Sequence, residues 1–437
     1  MNNTAIRKKT EPATQAYVRK ATRSAAIAMS TIIFSILLIS FRPFQGRFEA
    51  QEGGDIVNQL GFSILGVVSV ICLFTLGKPH FLRQLLSPGW ILMCGFLLMS
   101  AFIAPDPMAT IRTVIFTLIG MVCMFSIAGL LQDADGFSKT ITIVSGLVIA
   151  LSFIGVVVVP DLATHGYDVV EPPNSYLWRG VFVHKNIAGP VMAAFAFSGI
   201  YLMRRGMVLR GLIIMITATI FVSQTGSKTT TALIPLAMIV IIFPALLGWR
   251  WLTFITTLST HIVLGLLTIG TILFKPLRDF MESTPIDATF TGRTSIWSFA
   301  LEKLAQRPWT GFGFESFWSS PISVDAANPY YLDWDVRSIV HGHNGYLDIA
   351  MTMGIPALIC AVMVLIILPL FDYLRCKKTR ENILLADFFL MVVFFCTLSA
   401  HLESFFFRRI DPAWLILMLS AFGLHLCARI EIPTHDR

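Results

Sequence analysis

Four short stretches hold residues whose types and spacing could do chemistry. His341-Gly-His343-Asn344-Gly-Tyr346 carries two imidazoles beside an amide. A histidine there suits a general base or a donor to phosphate, and it equally suits a satisfied structural histidine. Two histidines at i and i+2 do not share a helix face and no HExxH pattern is present, so zinc is not expected. Gly292-Arg293-Thr-Ser-Ile-Trp297 opens with an arginine. Its planar fork binds phosphate oxygens in pairs; a solvated surface charge is the plainer reading. Gln224-Thr-Gly-Ser227-Lys228-Thr-Thr-Thr231 sets one lysine among hydroxyls and a glycine. That suits a phosphate, and also a tight turn with an interfacial lysine. The glycine spacing of a P-loop is missing. Arg179-Gly-Val-Phe-Val-His184-Lys185-Asn186 ends where a helix begins. Free backbone N–H groups and a cation would bind an anion there, while Lys185 as a membrane anchor and Asn186 as a cap explain the same residues.

A lesser cluster joins His401, Glu403, Arg408, Arg409 and Asp411. Glu403 is either a buried carboxylate with a raised pKa or the partner of Arg408. Asp387 reads as a charge at the inner surface. Gly311-Phe-Gly313 has no strand before it, so a dinucleotide-binding reading fails, and it is expected to be a turn where backbone passes closely.

The elements that must position these residues lie in a membrane. Of 437 residues, 55% are apolar and 14% charged, against about 25% charged in a soluble domain. The mean hydropathy is +0.73. Cytosolic enzymes, secreted disulfide scaffolds and disordered chains are excluded. The seven cysteines form no CxxC pair, so neither a disulfide framework nor a metal site is indicated. Twelve stretches have the length and apolarity of a spanning helix: about 24–41, 56–76, 89–104, 111–131, 140–160, 187–203, 207–223, 229–247, 251–274, 346–371, 384–402 and 412–428. The first ends without a small-residue cleavage site and reads as a span rather than a signal peptide. The expected fold is therefore an all-α integral membrane protein of about 12 transmembrane helices, one polytopic domain over 1–437.

The net charge of +7 reports topology rather than nucleic acid. With the N-terminus cytoplasmic, every short basic loop falls inside, as the positive-inside rule requires, and both termini are cytoplasmic. The opposite side carries one connection of about 70 residues, 275–345, far beyond usual loop length. Within it, Arg293 to Gln306 reads as an amphipathic helix ended by Pro308, of the kind that lies at a membrane interface. All four stretches with chemistry fall on this side. Several cations and a histidine gathered on one face suit a polyanionic headgroup such as a lipid diphosphate.

In layout and motif the sequence resembles the bacterial O-antigen ligase and O-antigen or exopolysaccharide polymerase superfamily. The motifs are Phe182-Val-His-Lys-Asn186 with Gly189, Gly292-Arg-Thr-Ser-Ile-Trp297 with Pro308-Trp-Thr-Gly-Phe-Gly313, and His341-Gly-His-Asn-Gly-Tyr346 with Gly354-Ile-Pro356. The large outer loop between spans nine and ten completes the likeness. Gly53-Gly-Asp-Ile-Val-Asn-Gln-Leu-Gly61 is most similar to polymerases of the succinoglycan type.

The resemblance implies glycan transfer at the periplasmic face of the inner membrane, from an undecaprenyl-diphosphate-linked oligosaccharide, with no cofactor. It assigns importance for activity to Lys228, Arg293 and His343, with Glu403 the nearest match to a late acidic residue. The candidate catalytic residues are thus Arg293, His343 and Glu403, and the candidate diphosphate-binding residues are Lys228 and Arg293, joined on the helix-start reading by Lys185 and Asn186. The family usually has arginine where Lys228 stands. The partners implied are other exopolysaccharide synthesis and export proteins and a chain-length regulator. A ligase that moves finished glycan to a lipid acceptor fits the same motifs. A flippase for lipid-linked oligosaccharide also fits twelve spans, although transporters place their polar groups at the bilayer midplane.

Overall fold

Apolar runs bounded by proline, glycine and hydroxyl or carboxylate caps dictate where each helix starts and stops. The computed structural model describes residues 13–45, 55–167, 175–284, 290, 292–318, 320–327 and 335–434. Among them every regular element is helical. Asp106, Asp133 and Asp411 each cap a helix by accepting from backbone N–H groups in its first turn, which satisfies donors the helix itself cannot pair.

The chain is an all-α integral membrane protein. Among the described residues, ten helices are long and apolar enough to cross a membrane. The pair Pro79–Leu85 and Pro88–Ile103 is apolar enough together to count as one more, but it is bent by 65° at the break between them, as in a broken span or a re-entrant loop. Val208–Gln224 is apolar but has only 17 residues. Nearly every expected stretch is present within a few residues. Two revisions stand out: the first helix begins at Ala13, eleven residues before the expected start, and the other is in the tenth stretch. It is broken at Gly354 into Gly345–Met353 and Ile355–Arg375, because Gly354 takes a φ of 86° and ends the first helix.

Three helices form the centre. In Lys185–Arg204, Arg380–Ser399 and Pro412–Arg429, 83%, 94% and 83% of the apolar window is buried, against 22% for Arg250–Leu273. The peripheral helices leave large apolar side chains such as Val67, Ile91 and Ile255 outside, the pattern of a lipid-facing shell. One end of the bundle is laced by ion pairs. Arg23 meets Asp133 at 2.7 Å, Arg204 meets Asp387 at 2.8 Å, and Arg205 meets Glu381 at 2.7 Å. Ala134 also donates to the Pro433 carbonyl, so the segment after the last helix packs at this end as well. Asp387 is buried between Arg204 and the Tyr373 hydroxyl rather than lying on a surface.

The opposite end carries the long connection. Its helix, Arg293–Leu304, turns Ile296, Trp297, Ala300 and Leu304 into a cluster with Leu347, Ala350 and Met351. The apolar face thus packs on protein, against the Gly345–Met353 helix, rather than on a lipid interface. Gly311 and Gly313 let the chain run against Met351 and Thr352, to whose carbonyls Phe312 and Gly313 donate at 2.8 and 3.1 Å. A β-carbon at Gly313 would come within 2.4 Å of the Ala104 Cα. The expected close passage of backbone is therefore present.

Candidate functional site

Helix ends meet where the long connection returns to the bundle: the starts at Lys185, Arg293 and Gly345 and the end at Ser399. Glu403 directly follows the turn, 400–402, that ends the Arg380–Ser399 helix, and side chains from three distant segments converge on it. Arg293, first residue of its helix, pairs with one carboxylate oxygen at 3.2 Å and also donates to the Leu402 carbonyl. Asn186 donates to the other oxygen at 3.4 Å. The Nδ1 of His343 lies 4.0 Å from that same oxygen. Burial holds the Glu403 carboxyl above the ordinary glutamate range, and the charges of Arg293, Arg408 and Lys185 only partly offset it. Desolvation and the three cations thus pull this carboxyl in opposite directions, with desolvation the larger effect.

Local sequence explains each placement. The helix at Lys185 is capped by His184, whose Nδ1 accepts from the Asn186 N–H at 3.1 Å. Asn186 is thus not the cap, and its amide is directed to Glu403 instead. His343 has a left-handed φ of 50°. Asn344 caps the next helix by accepting from the Tyr346 and Leu347 N–H groups at 3.1 and 3.0 Å, and donates to the His401 carbonyl at 3.0 Å. Gly345 donates to the Ala400 and Glu403 carbonyls at 2.7 and 3.1 Å. The histidine turn is therefore fastened directly to the Glu403 loop. Buried His401 beside it is held neutral, its pKa pushed down to about 3 by burial and by His261.

Lys185, Asn186, Arg293, His343 and Glu403 are brought together. Lys228 is not in contact with them. It is exposed at the first turn of its helix, with Ser227 as cap. Its helix nevertheless abuts that of Lys185: a β-carbon at Gly189 would lie 2.8 Å from the Thr230 hydroxyl. Arg179 serves structure, buried and donating to the carbonyls of Thr164, Gln45 and Phe182. Reading the sequence missed Asp348, which looks like an ordinary helix carboxylate. It also missed the Trp297 and Trp318 indoles, whose N–H groups find partners in the histidine turn and its helix.

Beside the cluster opens a cleft of about 590 Å³ whose walls include Leu38, Ile187, Phe405, His341, Asp348 and Arg408. Its lining of both apolar and charged side chains fits an amphiphile. The arrangement as a whole pairs an imidazole with a carboxylate and sets cations beside them, which is equipment for moving a proton and balancing a developing negative charge.

A comparison with curated proteins gives no match. Residues 211–362 match the family model described as O-antigen ligase. The matched stretch contains Lys228, Arg293, His343 and the long connection, while Lys185, Asn186 and Glu403 lie outside it. Through that stretch the chain is similar to the O-antigen ligase and polymerase superfamily, whose chemistry is glycan transfer at a membrane.

Proposed function

We propose that the chain polymerises exopolysaccharide repeat units at the periplasmic face of the inner membrane. The growing glycan moves from its undecaprenyl-diphosphate carrier to the next lipid-linked unit. The observation that carries this reading is the convergence of Arg293, Asn186 and His343 on the buried Glu403. In the step, an acceptor hydroxyl oxygen bonds to the donor's anomeric carbon and the bond from that carbon to the diphosphate oxygen breaks. His343 takes the hydroxyl proton, and the nearby Glu403 carboxylate stabilises the imidazolium that results. Arg293, with Lys185 and Lys228, balances the charge of the departing diphosphate. Side-chain cations do the work a divalent ion does elsewhere, so the scheme is written without a metal. Both termini are cytoplasmic in this reading, which the basic, ion-paired end of the bundle supports. Export proteins and a chain-length regulator would act on the same polymer.

A second reading has its own support. The matching family model is described as O-antigen ligase, so transfer of finished glycan to a lipid acceptor uses the same groups. The sizes of lipid-linked and secreted glycans in a deletion strain separate the two. Single repeat units accumulating on the carrier identify a polymerase. Long chains retained on the carrier identify a ligase. Single units confined to the cytoplasmic leaflet would overturn both and leave a flippase.

A further inference from the structure

We propose that Asp348 is a positioning residue that fixes the turn bearing His343 and so sets the reach of that imidazole to Glu403. The inference rests on the role of His343 proposed above. The turn needs fixing because His343 occupies left-handed backbone, at φ 50°, which an L-residue holds only when its surroundings impose it.

What imposes it is a clamp on the peptide before. The Gly342 N–H donates to both Asp348 oxygens, at 2.9 and 3.2 Å. The Gly342 carbonyl accepts from the Trp297 indole at 2.9 Å. Both ends of this residue are therefore fixed, one to the Gly345–Met353 helix and the other to the Arg293–Leu304 helix. The Asp348 carboxylate is held in turn, since its Oδ1 also accepts from the Trp318 indole at 2.9 Å. Ser404, next to Glu403, and Arg408 face the same carboxylate. On the far side of His343, Asn344 ties the chain to the His401 carbonyl. His343 thus hangs between two anchors, with Asp348 governing one of them. Space confirms the fit: a β-carbon at Gly342 would lie 2.7 Å from the Asp348 Oδ1 and 3.2 Å from the Trp318 ring. Only a glycine brings the peptide this close to the carboxylate.

Two substitutions break the clamp by different routes. Asp348→Asn leaves one carbonyl oxygen for two donors. Gly342→Ala keeps the carboxylate and forces it away. In reconstituted transfer assays each lowers kcat by about 10- to 100-fold, the scale of a displaced catalytic group, with KM for the lipid-linked unit within about twofold. The double variant is no slower than the worse single one, because both remove the same clamp. Wild-type kcat in Asp348→Asn overturns the proposal. So does a raised KM with kcat kept, which would make Asp348 a substrate contact in the cleft. Additive losses in the double variant overturn it as well.

A labelling readout needs no turnover. Carbethoxylation of His343 by diethyl pyrocarbonate, followed by mass spectrometry on detergent-purified protein, is expected to change rate in both variants while exposed His80 does not. Should either variant fail to fold, Trp318→Phe removes one donor and leaves the carboxylate, and the same shift in His343 labelling is expected in smaller measure. Unchanged labelling refutes the positioning role. Altered labelling in a chain whose wild type transfers no glycan keeps the positioning role and refutes the proposed function.

Discussion

Glu403 is a carboxylate whose neighbours pull its titration in opposite directions. Burial raises its pKa, and the Arg293, Arg408 and Lys185 charges lower it by less. The proposed step uses the ionised form, which accepts from Arg293 and Asn186. Because the midpoint is raised, activity is expected to fall on acidification at a higher pH than an ordinary glutamate would set. The stability sign is opposite. The folded chain binds this proton more tightly than the unfolded one, so the contribution to stability is full below the unfolded midpoint and is lost as pH rises through the folded one. Glu403→Gln removes the acid limb of the activity profile while lowering activity throughout; an unchanged acid limb would assign it to another group. Arg293 and Lys228 separate at the same scale. Arg293 is held by Glu403, and Lys228 is exposed without contact to the cluster. Polymer yield is expected to fall by at least about tenfold in Arg293→Ala, in line with loss of a charge-stabilising donor, and by less in Lys228→Ala. Equal losses would show that Lys228 carries as much of the diphosphate charge as Arg293. Arg293 and His343 were legible from residue type and motif. The partner of Asn186 was not, because it lies 217 positions away and no local pattern encodes such a contact.

Helix ends, rather than helix middles, build the site, and their chemistry is mostly local. Starts at Lys185, Lys228, Arg293 and Gly345 follow from hydropathy and from proline or cap residues nearby. The break at Gly354 escaped because its left-handed turn interrupts an unbroken apolar run, which hydropathy reads as one span. The Gly311-Phe-Gly313 turn was legible as a close passage, though what it passes depends on tertiary packing. Gly313→Ala tests that passage. At φ 95° with the Ala104 backbone 2.4 Å from the added carbon, the change is expected to cost about 1–3 kcal/mol or more and to lower the melting temperature in detergent. Asn344→Ala removes a cap worth about 1 kcal/mol and one tie to the Glu403 loop. It is expected to cost activity beyond the fraction of protein lost, measured per folded molecule. Loss in strict proportion to folded protein would make Asn344 a cap alone.

At the scale of the molecule the two ends of the bundle have different tasks. One is neutralised in place: Arg204, Arg205 and Arg429 are each within 3.1 Å of a carboxylate. These pairs fix helices to one another at a desolvated boundary, where an unpaired charge would be costly. At the other end Arg408 lines a cleft, and Lys228 is exposed, which is the condition for meeting a charged ligand. Composition predicted this asymmetry through the basic loops, and the structure adds that the basic end is paired. The proposed orientation, with the paired end cytoplasmic, can be measured. The seven cysteines are free, five of them buried, so a cysteine-free chain is the starting point. Glu302→Cys lies on the exposed face of the Arg293–Leu304 helix, and Lys378→Cys in the exposed turn at the paired end. A membrane-impermeant maleimide is expected to label Glu302→Cys in cells with a permeabilised outer membrane, and Lys378→Cys only after lysis. The reverse pattern would put the His343 and Glu403 cluster in the cytoplasm, where a lipid-linked unit awaiting export to the periplasm has not yet been delivered for polymerisation. Labelling of both positions in unlysed cells would mean that the two ends do not face opposite sides, and the bundle would then have to cross the membrane in another order.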